Sequence, residues 1–227
     1  MITHLSNTAT QSEIETYLGI PFLFQNIYKP QIIINGREET SAILVTSGFP
    51  DAVQFGIWGI LPKNYSQAWQ HFQNYEISLS TDLETIQPEH WLYGALKERR
   101  CYIIVTGYFN YFLKNKNLQP WFSSKDSQKA FCLAGVYNKT DDGFITFTLL
   151  TKKSTHFQIK TSFTPILPII LAKKERELWI GNHIEPDALS IFLENISSPN
   201  LKQHAVNPAI MGKGKKTLQM LEPYTKK

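Results

Sequence analysis

The sequence predicts an α+β domain, mainly antiparallel in its strands and barrel-like, with short helices at its periphery. Three observations predict it. Strand-length apolar runs rich in Ile, Val, Thr and aromatic residues recur along the chain, and Phe, Tyr and Trp alone make up 13% of it. Polar turns of hairpin length join several of these runs. The helical spacings that occur are short and scattered, and they do not alternate regularly with strands.

The elements follow in chain order. Ser12 to Leu18 reads as a short helix, with Thr10 or Ser12 as its cap and acids in its first turn. Gln31 to Asn35 and Ser41 to Thr46 read as strands around the polar turn Gly36-Arg-Glu-Glu39. Phe55 to Leu61 is a further apolar run, closed by Pro62. Tyr65 to Asn74 suits a helix, and Pro88 to Arg99 suits one better, with an early proline and Trp91, Leu92, Ala95 and Leu96 at helical spacing. Cys101 to Thr106 is unbroken, β-branched and apolar, as a buried strand should be. Phe109 to Leu113 and Pro120 to Ser123 form a hairpin over Lys114–Asn117. Ala130 to Tyr137 and Phe144 to Leu150 form another over Asn138–Gly143, where Asp141-Asp142-Gly143 is turn chemistry and not a metal loop. Pro168 interrupts Ile166 to Leu171 and makes it an edge or bulged strand. Lys173 to Trp179 and Pro186 to Leu193 close the series as short helices.

At 227 residues the chain can bury a real core, and residues 1–212 are expected to be one domain. The net charge of +4 sits entirely in the remainder. Segment 213–227 holds five lysines against Glu222, and removing them from the 23 basic and 19 acidic side chains leaves 18 of each. Segment 213–227 therefore reads as a basic, mobile C-terminal tail on a neutral body. Nucleic-acid binding draws much of its affinity from phosphate neutralisation, so any DNA binding by the body should be weak. No apolar run is long enough to span a membrane, and the first residues lack a basic, then apolar leader. These features point to the cytoplasm. Cys101 and Cys132 sit in apolar surroundings and read as buried reduced thiols. The six histidines lack ligand spacing, and no Gly-rich phosphate loop or Ser-centred elbow is present, so neither metal nor cofactor is implied.

Several short motifs, in order, carry a family resemblance: Trp58-Gly59-Ile-Leu-Pro62, Glu84-Thr85, Arg99-Arg100-Cys101, Gly107-Tyr-Phe-Asn-Tyr111, Gln119-Pro120-Trp-Phe122, Ala134-Gly135-Val-Tyr137, Phe147-Thr-Leu-Leu-Thr151, Pro168-Ile-Ile-Leu171 and Leu178-Trp179-Ile180. Spread over roughly residues 2–210, they resemble the SOS response-associated peptidase (SRAP) family. Its members bind single-stranded DNA, capture abasic sites covalently and process themselves as peptidases. The resemblance implies the SRAP fold, with single-stranded DNA as partner and no cofactor. It does not indicate a protein partner.

The resemblance also locates the family's chemistry. Family members use a cysteine directly after the initiator Met, whose freed amine and thiol close a thiazolidine ring on the abasic aldehyde. Here that position is Ile2, which has no sulfur and whose bulk should keep Met1 in place. The Met1 amine would then be limited to a reversible imine. The family's orienting Asn falls on Ser80, its phosphate-binding Arg on Asp82, its acid/base Glu on Asn110, its proton-handling His on Thr164 and the following Arg on Ile166. His156 is a possible stand-in for that histidine. The early Arg falls on His4, which with Trp58 and Thr151 completes the DNA-binding candidates. Trp58 is either a core residue or a base-stacking platform. Acid/base catalysis alone is typically worth ~10²–10⁴ in rate, so these replacements together imply a degenerate site with a binding or structural role. The alternatives are an imine-forming abasic-site sensor and a non-catalytic binder working through the lysine-rich tail.

Overall fold

The computed structural model describes residues 1–114, 116–126, 129–153, 166–181, 186–196 and 200–224. The first strand, β1 (His4–Asn7), leads into α1 (Gln11–Leu18). Thr10 caps that helix in a capping box with Glu13, and Gly19 ends it in the left-handed region at φ 78°. Strands β2 (Gln31–Asn35), β3 (Ser41–Thr46) and β4 (Phe49–Trp58) follow. β4 starts earlier than the apolar run because Phe49 pairs with Thr46 of β3. It stops at Gly59, whose φ of +109° a side-chain-bearing residue rarely adopts. Next come α2 (Trp69–Tyr75), a three-residue strand β5 (Ser80–Asp82), and α3 (Tyr93–Glu98).

α3 is shorter than the expected 88–99 helix. The His90 ring accepts the Leu92 N–H at 3.1 Å and holds the preceding residues in a turn. Strands β6 (Arg100–Val105), β7 (Gly107–Lys114), β8 (Asn117–Ser124), β9 (Phe131–Lys139) and β10 (Ile145–Lys153) form the hairpin-linked centre. Pro168 splits the next run as expected: β11 (Ile166–Pro168) pairs with β10, while β12 (Ile170–Leu171) crosses to β9. Helices α4 (Lys173–Ile180) and α5 (Pro186–Glu194) and strand β13 (Lys202–Ala205) complete the chain.

Two sheets result. One has the order β13-β8-β7-β1-β2. The other runs β11-β10-β4-β3-β6-β9-β12 and curls back on itself through β9–β10 pairing, with β5 attached to β10. Pairing is antiparallel except where β4 and β5 meet β10. This closed ring with helices outside it is the α+β, barrel-like architecture the sequence predicts.

β6 shows how the core is divided. Cys101, Ile103 and Val105 face a cluster shared with Ile2, Leu5, Trp58, Tyr108 and Phe147. Tyr102 and Ile104 face the opposite cluster, which Ile14, Leu96, Trp179 and Leu193 bring from the helices. Arg100, 4% exposed, ties strand to helices. Its guanidinium donates to the carbonyls of Leu96 (3.4 Å) and Lys97 at the end of α3, and to those of Trp179 (2.6 Å) and Gly181 (2.8 Å) at the end of α4. Orphan C-terminal carbonyls of two helices thus share one cation.

The C-terminal segment also packs against the body. Residues 218–221 form a 3-10 turn, and Leu221 is buried among Phe109, Phe122, Val206 and Ile210. The Tyr224 N–H donates to Ala205 O at 2.8 Å, and the His204 ring meets Leu221 O at 2.7 Å. Apolar Leu221 and the Tyr224 N–H seat the segment against the body. Lys226 and Lys227 lie outside the described residues.

Candidate functional site

The stretch before β1 runs into the cluster between the two sheets. Ile2 is wholly buried there with Leu5, Ile34, Trp58 and Tyr108. Its backbone N–H donates to Ser80 Oγ at 3.3 Å, across 78 residues of sequence. β5 holds Ser80 in place by pairing it with Leu149 of β10. Positions 2 and 80, matched only through separate motifs, therefore meet in space. Burial lowers the pKa of the Met1 amine beside them below its usual value of 8.0.

Asn110 lies on β7, opposite Trp121 of β8. Leu5 of β1 pairs with Tyr108 two residues earlier on β7, so the alternation of that strand puts Asn110 on the Tyr108 face. Asn110 is 8% exposed, and its Nδ2 has no hydrogen-bond partner among the described residues. A neutral amide cannot exchange a proton here, but it presents an unsatisfied donor.

Asp82 pairs with Thr151, and Ile166 pairs with Lys153, so β5, β10 and β11 gather these positions at one corner. Asp82 Oδ1 accepts the Glu84 N–H at 3.2 Å and caps the short turn Leu83–Thr85. Lys153 Nζ sits 3.2 Å from Glu84 and 4.0 Å from Asp82. Sequence reasoning missed Lys153, which brings a cation to the corner that holds Asp82. Its pair with Glu84 is solvent-exposed and contributes little to stability. Thr151, 1% exposed, spends its hydroxyl on Thr81 O at 3.1 Å.

Trp58 is 0% exposed, lies parallel to Phe147 and donates its indole N–H to Leu79 O at 2.8 Å. With the ring enclosed by protein, no face is open for a nucleobase, so of the two roles expected for Trp58 the structure favours core packing. Gly107 is likewise a packing residue, since a Cβ there would meet the Phe122 ring at 2.3 Å.

His4 turns away from the Ile2 cluster. Its Nδ1 contacts Thr3 Oγ1 at 3.0 Å and the Tyr111 hydroxyl at 2.8 Å, and that hydroxyl also reaches Met211 Sδ at 3.1 Å. Burial, with Arg37 nearby, pushes the His4 pKa down to about 4, so the ring is neutral at neutral pH and supplies no cation. Burial pushes the Tyr111 phenol up to about 12. Motif matching fixed on position 4 and overlooked Tyr111, which lay in the motif Gly107–Tyr111.

Thr164 and His156 lie outside the described residues. Both cysteines are buried and free, and desolvation raises their thiol pKa values. Among the described residues no group of three His, Cys, Asp or Glu gathers to hold a metal, and no helix is long and apolar enough to cross a membrane.

Comparison with known proteins agrees with this architecture. Residues 1–212 match the family described as SOS response associated peptidase (SRAP). An abasic site processing protein of Saccharomyces cerevisiae is 30% identical over 104 residues, which is 44% of this chain and 27% of that protein. The matched stretch thus spans about a quarter of the yeast protein's length. A crystal structure of a protein from Bacteroides thetaiotaomicron superposes with a TM-score of 0.83 at 20% identity, covering 98% of this chain and 100% of the other. A phage-related protein of Bordetella bronchiseptica gives 0.67 at 14% identity, covering 90% and 93%. At these identities the two structures speak for the fold alone.

Proposed function

This chain belongs to the SOS response associated peptidase (SRAP) family, and on that premise we propose that it serves at abasic-site DNA as a member that does not crosslink. It binds weakly and reversibly where its relatives form a covalent bond. The seat of Ile2 carries this reading: the side chain is wholly buried and its N–H is held by Ser80 Oγ at 3.3 Å. A thiazolidine needs an amine and a thiol on one residue to close on one aldehyde carbon. Position 2 offers hydrocarbon, and that hydrocarbon is committed to the core. Asn110 in place of an acid/base, and Asp82 in place of an anion-binding arginine, support the same conclusion.

The test is fluorescence anisotropy with single-stranded oligonucleotides, with and without one abasic site, over a salt series. The reading expects weak binding that favours the abasic oligonucleotide and falls as salt rises. Equal binding to both at every salt concentration removes the abasic-site role.

A second reading rests on the Met1 amine. Its lowered pKa enlarges the neutral fraction at pH 7, and a neutral amine condenses with an aldehyde to an imine with loss of water. Borohydride reduces such an imine to a stable secondary amine. An adduct seen only with borohydride and mapped to Met1 selects this reading over purely non-covalent binding.

A further inference from the structure

We propose that β2 is a dimerisation edge, where two copies of this chain join their sheets antiparallel about a two-fold axis at Ile33. β2 ends the sheet β13-β8-β7-β1-β2, so one side of it has no neighbouring strand. Its inward bonds alternate along the strand: Ile34 pairs with Leu5, and the Gly36 N–H beyond it donates to Thr3 O at 2.9 Å. Ile33 is out of step with these two, so its N–H and C=O point outward, toward the open edge. Ser6 of β1 agrees, since its carbonyl accepts the Thr106 N–H at 2.8 Å, on the side away from β2. The opposite end of the same sheet is covered. There the Tyr224 N–H donates to Ala205 O of β13 at 2.8 Å.

The sequence of the edge selects the occupant. Gln31-Ile-Ile-Ile-Asn35 reads almost the same in both directions. Antiparallel self-pairing sets Ile33 opposite Ile33 of the second copy, Ile32 opposite Ile34, and the Gln31 amide opposite the Asn35 amide. Apolar thus meets apolar and neutral amide meets neutral amide, with no charge across the seam. Self-complementarity of one patch is what a two-fold interface requires. Edge strands that resist such pairing usually carry charges or prolines, and β2 has neither within it. The segment leading into β2 adds contact surface. Lys29 is the only charged residue between Glu15 and Arg37, and Phe24 and Ile27 are 54% and 61% exposed. Depletion of charge around exposed apolar side chains is the composition of an interface core. The Tyr28 hydroxyl pins that segment to Ala9 O at 3.0 Å, so docking requires little further ordering.

Analytical ultracentrifugation of the full chain, from micromolar to submillimolar concentration, tests the proposal. A reversible monomer–dimer equilibrium is expected, with the Ile33 amide protected from hydrogen exchange in concentrated protein and not in dilute protein. Ile33→Pro removes the outward N–H and none of the bonds to β1, and should weaken dimerisation roughly tenfold or more. Ile27→Glu, an exposed substitution that brings a charge to the interface, should weaken it to a similar extent. A chain that stays monomeric at submillimolar concentration overturns the proposal. So does a dimer whose affinity neither substitution changes, or one in which the Ile33 amide exchanges as fast as in the monomer.

Discussion

Ile2→Ala measures whether position 2 is a packing residue. Ile2 is 0% exposed and shares its cluster with Leu5, Ile34, Trp58 and Tyr108. Truncating a buried Ile to Ala costs about 2–5 kcal/mol, depending on how far the cavity collapses. The backbone before β1 is tied at two points, Ile2 N–H on Ser80 Oγ and Gly36 N–H on Thr3 O, and lies outside the strand ladder, so some collapse is available and about 2–3 kcal/mol is expected. For a chain of this length that corresponds to a fall in Tm of roughly 5–10 °C. Ile2→Val, which leaves most of the side chain, should cost about 0.5–1.5 kcal/mol. Urea unfolding followed by tryptophan fluorescence gives both values from the midpoint at constant slope. A cost below about 0.5 kcal/mol for Ile2→Ala, the level of an ordinary surface substitution, would refute the claim that this side chain is committed to the core.

Three further predictions follow from the same structure. Arg100→Met leaves helix-end carbonyls of α3 and α4 without their cation and should cost about 3 kcal/mol or more by chemical denaturation; a neutral result means those carbonyls find other partners. Leu221→Ala should cost about 2–3 kcal/mol and raise hydrogen exchange in β7 and β8, because Leu221 covers Phe109 and Phe122; unchanged stability would show a tail that is not docked. His4 has a folded pKa near 4 against an unfolded value of about 6.5, so between those values the unfolded chain binds more protons. The His4 contribution is therefore complete above pH 6.5 and is lost as pH falls toward 4, and His4→Gln should flatten that part of the stability profile.

The fold was legible where hydrophobic pattern alone decides pairing. β6 and β9 are largely apolar runs buried on both faces, and β10 is a run of β-branched and aromatic residues, so their reading needed no tertiary knowledge. β1 and β5 went unseen because Ser6, Asn7, Ser80 and Asp82 lack strand character, and only pairing with β2, β7 and β10 makes those segments extended. In segment 213–227 the lysines suggest a solvated tail, while Leu221 is the apolar side chain that packs against Phe109 and Phe122. For the site, motif order was enough to bring Ile2 and Ser80 to one place. It could not show that Trp58 and Thr151 are sealed from solvent, that His4 turns to Tyr111, or that Lys153 stands beside Asp82. Those outcomes depend on side-chain packing, which neighbouring residues in the sequence do not determine.

Intact-mass spectrometry of the protein incubated with single-stranded DNA bearing one abasic site, without reductant and after heating, bears most directly on the absence of covalent capture. The expected spectrum contains only the unmodified chain. A heat-stable adduct at the mass of protein plus DNA, formed without borohydride, would contradict the account, because it requires a ring-closing nucleophile that Ile2 cannot supply.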